Sequence, residues 1–305
     1  MFGCLAGLAV LMSGVTSRAA EIPSPAAVPD WTALRSFAIQ LQNGAPRELA
    51  ASPFQMIVMD VNRDGTDETS YQRSDIDEIR AGGPGGPKVV LAYLSVGEAE
   101  NYRSYWQKAW NAHPPEWMGP ENPEWKGNFK VRFWEPPWQQ LMEKAVDHLI
   151  DLGYDGAFLD VVDAGEFWAD EDRGTARHAS AERDMVDFVK SLAAYAHKRN
   201  PHFGLFPNGG ENLGRFDDYV AAVTGLFRED IWYDGNHLNS ASDLDDTLRA
   251  LKRFSAAKKP IFAIDYVTKP ALIDDFYAKA HQAGMVPYAT VRALDKLTIN
   301  PGHDR

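Results

Sequence analysis

Lys88–Val89–Val90–Leu91–Ala92–Tyr93–Leu94–Ser95–Val96–Gly97–Glu98–Ala99–Glu100 begins as one kind of structure and ends as another. From Val89 to Leu94 the residues are apolar with no polar alternation, as in a parallel strand covered on both faces. At Gly97 the pattern breaks into two carboxylates, and Asn101–Tyr102–Arg103–Ser104–Tyr105–Trp106 adds three aromatic rings and an arginine. An apolar strand that runs into acids and aromatics has the pattern of the rim of an α/β barrel site. The same event recurs along the chain.

Eight apolar runs read as strands: Phe37–Leu41, Met56–Val61, Val89–Ser95, Gly156–Asp160, Phe203–Pro207, Val223–Arg228, Pro260–Tyr266 and Val286–Val291. Segments with helical spacing lie between them. Trp138–Leu152 carries Leu141, Ala145, Leu149 and Leu152 and stops at Gly153, where a helix end belongs. Ala181–Arg199 stops at Asn200–Pro201, Ser242–Ala257 starts on a serine suited to a cap, and Pro270–Ala283 completes the set. Strand–helix alternation of this length predicts an α/β fold, a single (β/α)8 TIM-type barrel. The gap from Gly97 to Trp138 is rich in Trp and Pro. It reads as an insertion after the third strand that walls the substrate site, with Phe129–Trp134 as an extra strand. The Gly82–Pro87 run precedes a strand and lacks a following Lys-Ser/Thr, so it reads as a turn and not a phosphate loop.

The chain has 305 residues, 45% hydrophobic and 24% charged, with 43 acids against 31 basic residues and a formal charge of −12. That field repels nucleic acid and anionic membranes and attracts cations. Phe2–Val15 is an apolar run too short to span a membrane, followed by Ser17–Arg18–Ala19–Ala20, a small-residue cleavage pattern. The expected organisation is a signal peptide over 1–20, an N-terminal tail over 21–30 and one catalytic domain over 31–305. The product would be a secreted or periplasmic monomer without stable membrane insertion. Cys4, the only cysteine, falls within the signal segment, which leaves the mature chain without disulfides or a thiolate nucleophile.

In a barrel, chemistry sits at the C-terminal strand ends. Here these ends carry Asp60; Tyr93, Ser95 and Glu98; Asp160, with Asp163 and Glu166 beyond; Asn208–Gly209–Gly210–Glu211; Arg228–Glu229–Asp230 with Trp232 and Tyr233; Asp265–Tyr266; and Tyr288 with Thr290. Asp60, Asp160, Glu229 and Asp265 end separate apolar strands, where a charge is costly unless partnered or used. Converging carboxylates with separated proton affinities are the machinery of glycoside cleavage. Trp106, Trp110, Trp117, Trp125, Trp134, Trp232 and Tyr233 are candidate sugar platforms, with core packing as the plainer role for each. Asp160 could instead cap the next helix, and Glu229 could pair with Arg228. Asp60, Asn62, Asp64 and Gly65 copy the start of a calcium loop, but its twelfth position is Tyr71. The eight histidines are scattered, without a His-Glu-x-x-His pair, and no Gly-x-Ser-x-Gly elbow is present. No metal and no cofactor is expected.

Leu94–Glu100 with Tyr102–Arg103 and Tyr105–Trp106 resembles the signature of the endo-α-1,4-polygalactosaminidase family, glycoside hydrolase family 114. Gly153–Asp160 resembles its second signature, and Pro207–Glu211 and Glu229 with an aromatic pair resemble its third and fourth. The resemblance implies a (β/α)8-type barrel that cleaves within galactosamine-rich exopolysaccharide, a partner that is cationic when partly deacetylated. It also implies an acidic pair on the fourth and sixth strands, carried over as Asp160 and Glu229. The expected mechanism is a retaining double displacement with Glu229 as general acid/base and Asp160 as nucleophile, roles that are exchangeable at this stage. Asp60, Tyr93, Ser95, Glu98, Asn208, Trp232, Asp265 and Tyr266 are the expected substrate-binding set. The rival readings are a glycosidase for another α-linked polysaccharide and a non-catalytic carbohydrate-binding barrel.

Overall fold

The structure, a computed structural model, describes residues 29–170 and 178–303. The expected signal peptide, most of the tail and Cys4 lie outside the described residues. All eight expected strands form. They are β1 (Phe37–Gln40), β2 (Met56–Met59), β3 (Val89–Ser95), β7 (Gly156–Asp160), β8 (Gly204–Pro207), β9 (Leu226–Glu229), β12 (Ile261–Asp265) and β13 (Val286–Ala289). Three further short strands, β4 (Glu98–Glu100), β5 (Met118–Glu121) and β6 (Asn128–Val131), lie between β3 and the next helix, and β10 (Tyr233–Asp234) and β11 (His237–Leu238) make a hairpin after β9.

Two parallel sheets, β1-β2-β3-β7-β8 and β13-β12-β9, follow the strand order of a TIM-type barrel. They are linked where Asn208 bridges to Phe227 and where Leu41 N–H donates to the Leu294 carbonyl at 2.8 Å. The residues are buried along nearly every strand, which is why no polar alternation is visible in the sequence. Inside the ring, Phe37 packs edge-on against Phe227 and Phe262 at 5.4 and 5.3 Å and tilts against Tyr288 at 5.5 Å. Phe158 contacts Phe227 at 4.9 Å and lies under Tyr93 at 6.1 Å. Such ring contacts are worth about 0.5–1.5 kcal/mol each beyond area burial. They make a solid aromatic floor beneath the C-terminal strand ends.

The helices cover the outside: α1 (Pro46–Ala51), α2 (Arg73–Ala81), α3 (Pro136–Leu152), α4 (Ala164–Ala169), α5 (Ala181–Arg199), α6 (Asp217–Ala222), α7 (Ala241–Ala256) and α8 (Pro270–Gln282). Helix α3 buries Trp138, Met142, Val146 and Leu149 and ends at Gly153, whose φ of 91° is the left-handed conformation that glycine tolerates best. Helix α7 is capped by Ser240, which accepts from Asp243 N–H, so the expected cap at Ser242 is corrected by two residues. Among the described residues no helix follows β13, and the closing segment is held instead by Asn300, which donates to the Ala289 carbonyl at 2.8 Å.

The residues after β3 form a separate antiparallel sheet, in the order β4-β6-β5. Glu98 pairs with Lys130 and Glu100 with Asn128 in its register. This sheet stands at the C-terminal end of the barrel, beside the acids.

Candidate active site

Five successive staves of the ring, β3, β7, β8, β9 and β12, each deliver one polar side chain close to the strand's C-terminal end. Tyr93 donates its hydroxyl to Asp160 Oδ2 at 2.9 Å. Asn208 Nδ2 donates to Asp160 Oδ1 at 3.0 Å and to Glu229 Oε1 at 2.9 Å. Tyr266 donates to Glu229 Oε2 at 2.7 Å. The result is a continuous chain, Tyr93–Asp160–Asn208–Glu229–Tyr266. One amide serves both acids. The two hydrogens of an amide nitrogen diverge by about 120°, so near-linear bonds hold the two acceptor oxygens about 5 Å apart.

Burial pushes the Asp160 carboxyl up from its ordinary range, against the bonds from Asn208 and Tyr93. Burial also raises Glu229, and the nearby Asp160 charge raises it further. Two buried acids this close resist simultaneous ionisation. Their titration belongs to the pair. Asp163, one turn beyond Asp160, is raised to about 6 by burial and by the Asp160 charge.

The backbone turns sharply after each acid. Val161 has φ 60° and Asp230 φ 49°. Left-handed geometry is unusual for any non-glycine residue and most costly for a β-branched one, about 1–3 kcal/mol. The turn at Val161 packs against Gly97: a Cβ there would meet the Val161 carbonyl oxygen at 2.1 Å. Asp230 is held by Arg292, whose guanidinium bonds both its oxygens at 3.0 Å and lies 4.4 Å over the Tyr266 ring.

The acids open into a cavity of about 640 Å³ whose walls include Asp60, Tyr93, Glu98, Asn208 and Tyr266. Six of the nine charged side chains lining it are carboxylates. Asp60 sits in a buried ion triad. Arg103 grips it in a bidentate fork at 2.6 and 2.8 Å and turns its Nε to Glu100. Tyr102 also donates to Glu100, at 2.8 Å. Glu98 is nearly fully buried and takes Asn122 Nδ2 at 2.8 Å and the Lys130 ammonium. The calcium-like side chains do not converge: Asn62 accepts from Ser70, and Asp64 accepts from Thr66 and Thr69. Among the described residues no cluster of three or more His, Cys, Asp or Glu is arranged to hold a metal ion.

Three of the expected binding residues are placed elsewhere. Asp265 is fully buried and accepts from the backbone N–H groups of Ile231, Trp232 and Tyr233 at 2.8, 3.0 and 2.9 Å. It anchors the loop that follows Glu229, and burial raises it to about 7. Trp232 is 3% exposed and packs on Phe276 at 5.7 Å, so it belongs to the core rather than to a sugar platform. Ser95 lines a second cavity behind Tyr93. Conversely, Trp125 at 62% and Tyr102 at 41% exposure are large rings open to solvent on the wall of the acid-bearing cavity. The sequence pointed to Trp125 only among many candidates. It gave no sign that Asn208 spans both acids, beyond its place before Gly209 and Gly210, both with positive φ.

A family model, glycoside-hydrolase family GH114, matches residues 18–304. An uncharacterised protein of Deinococcus radiodurans is 35% identical over 280 residues, which cover 90% of this chain and 86% of its own. Another from Thermotoga maritima is 34% identical over 270 residues, covering 86% and 82%. Among solved structures, the glycoside hydrolase domain of PelA from Pseudomonas aeruginosa superposes with a TM-score of 0.68 at 22% identity, over 88% of this chain and 98% of that one. Aspergillus fumigatus Ega3, solved in complex with galactosamine, gives 0.64 at 17% identity over 90% and 99%. At these identities the superpositions speak for the fold alone. With its family match over nearly the whole sequence and relatives above 30% identity, the chain belongs to glycoside-hydrolase family GH114.

Proposed function

We propose that this protein is an endo-acting glycoside hydrolase that cleaves α-1,4-linked, galactosamine-rich exopolysaccharide with retention of configuration. The observation that carries the reading is the shared amide: Asn208 donates to both Asp160 and Glu229. With near-linear bonds it puts one oxygen of each carboxyl about 5 Å from the other, a proximity that suits a retaining enzyme, whereas inverting ones leave about 6.5–9.5 Å between the carboxyl groups for a water. The nucleophile must be ionised and the acid protonated before the first step. Glu229 feels burial and the Asp160 charge together, which suits it to hold the proton and give it to the leaving oxygen. Asp160, held by Tyr93 and Asn208, then attacks the anomeric carbon. In the second step Glu229 takes a proton from water, whose oxygen bonds to the anomeric carbon as the glycosyl ester breaks and Asp160 leaves as carboxylate.

The substrate class rests on charge and shape. A cavity lined by six carboxylates against three cations, in a chain of formal charge −12, favours a cationic polymer. The antiparallel sheet after β3, with Trp125 and Tyr102 on the open wall, reads as an insertion that offers sugar faces a stacking surface. The galactosamine bound to Ega3 fits the same class. One chain supplies all five residues of the network, so a monomer suffices. The apolar run near the N-terminus supports export to a secreted or periplasmic site.

The test is incubation with galactosamine-containing exopolysaccharide, followed by product masses and the anomeric configuration of the first product. Internal cleavage with retained configuration by the wild type, absent in Asp160→Asn and Glu229→Gln, supports the reading. Equal hydrolysis of a neutral α-linked polymer, insensitive to salt, would overturn the substrate assignment. Binding without turnover by the wild type would leave a carbohydrate-binding barrel.

A further inference from the structure

Behind Tyr93, between α3 and the edge of β3, lies a second cavity of about 370 Å³. The size is at the low end of small-molecule sites. Its apolar lining includes Val61, Leu94, Tyr105, Leu141, Ala145 and Leu149. Tyr93, Glu100 and Arg103 line both cavities and form the partition between them. The second cavity contains neither Asp160 nor Glu229 in its wall.

Ser95 lines it as well, but its Oγ is buried and presents no surface to the cavity. What distinguishes the cavity from a packing gap is charge. Lys144 and His148, four residues apart on α3, both line the cavity, and both are exposed. Residues so spaced share one helix face. Neither has a hydrogen-bond or ion-pair partner among the described residues, although the chain carries 43 acids. The other charges on the wall, Glu100 and Arg103, are committed to each other and to Asp60.

We propose that this cavity is a binding site for a small amphipathic monocarboxylate. The apolar body sits among Leu94, Leu141 and Leu149, and the carboxylate faces Lys144 and His148. The site is separate from the glycan groove and of opposite charge preference. It does not rest on the proposed hydrolase activity, because binding is read directly.

The probe is naphthylacetate, titrated by calorimetry into the wild-type protein, with naphthylacetamide and naphthylethylamine as neutral and cationic analogues. Naphthylacetate is expected to bind saturably at one site, the amide about tenfold more weakly, and the amine not measurably. Lys144→Gln with His148→Gln should lower naphthylacetate affinity about tenfold and bring acid and amide together, with polymer cleavage unchanged. Ala145→Phe fills the cavity and should abolish binding; the surface double variant keeps the test decisive if Ala145→Phe does not fold. Absence of saturable binding, equal affinity for acid, amide and amine, or affinity unaffected by the double variant would each overturn the proposal.

Discussion

Replacing Asn208 by leucine, close in size and without a donor, tests how far the two acids depend on one amide. In the wild type each carboxylate receives one bond from Asn208, at 3.0 Å for Asp160 and 2.9 Å for Glu229, and one from a tyrosine. A hydrogen bond to a charged group is worth about 1.5–3 kcal/mol, and one pH unit corresponds to about 1.4 kcal/mol. The lost bonds favour the ionised forms. Their removal therefore raises both acids by about one to two units beyond the elevation that burial already causes. The nucleophile must be ionised, so the acid limb of kcat/KM should move to higher pH by that amount. On the acid side of the optimum the rate should fall about 10- to 100-fold, with partial recovery as pH rises. The assay is release of reducing ends from the galactosamine polymer from about pH 4 to about pH 9, beside a thermal melt. A uniform loss at every pH, with the acid limb in place, would refute the idea that Asn208 sets the ionisation of the pair.

Asp160→Asn and Glu229→Gln should each lower kcat by about three orders of magnitude or more while the melting temperature holds, measured on the same polymer. Arg103→Met leaves Asp60 and Glu100 as uncompensated buried carboxylates; a loss of about 3–5 kcal/mol in urea unfolding is expected. Asp265 titrates at about 7 in the folded protein against an ordinary 3.8, so the folded state holds more protons in that interval and stability falls as pH rises through it. Asp265→Asn should flatten this slope in denaturation midpoints taken between those pH values, at the cost of a donor clash with one of the three backbone N–H groups. Trp125→Ala should raise KM on long polymer several-fold and leave kcat near wild type, since an exposed ring on the cavity wall contributes binding and no proton transfer.

The barrel was legible because its strands are buried on both faces and so read as unbroken apolar runs; Met56–Met59 and Ile261–Asp265 are nearly uninterrupted. The acids at their ends were legible for the same reason, as charges where apolar runs stop. Which of those acids faces the cavity was not. Asp265 ends a strand as Asp160 does, yet its carboxylate turns to the preceding crossover loop and takes three backbone N–H groups. That choice depends on where residues 231–233 lie in space, 32 to 34 positions away in sequence. Arg103 was visible beside Glu100, but its fork to Asp60 joins residues 43 apart. Asn208 looks like any residue of a Pro-Asn-Gly-Gly turn until the strands on either side bring an acid to each of its hydrogens. The segment after β13 carries no helical signal of its own; it is fixed by side-chain bonds such as that of Asn300.

Gly97 contributes no atom to the chemistry, yet its neighbourhood leaves room for nothing larger than hydrogen. An alanine methyl would press on the Val161 oxygen at 2.1 Å and on the Ala164 methyl at 2.8 Å, displacing the very peptide that aims Asp160. A saturation library at this codon should thus return a single tolerated letter. Directed evolution toward new glycans would do better to spend its diversity on the rings around Trp125 and keep this position untouched.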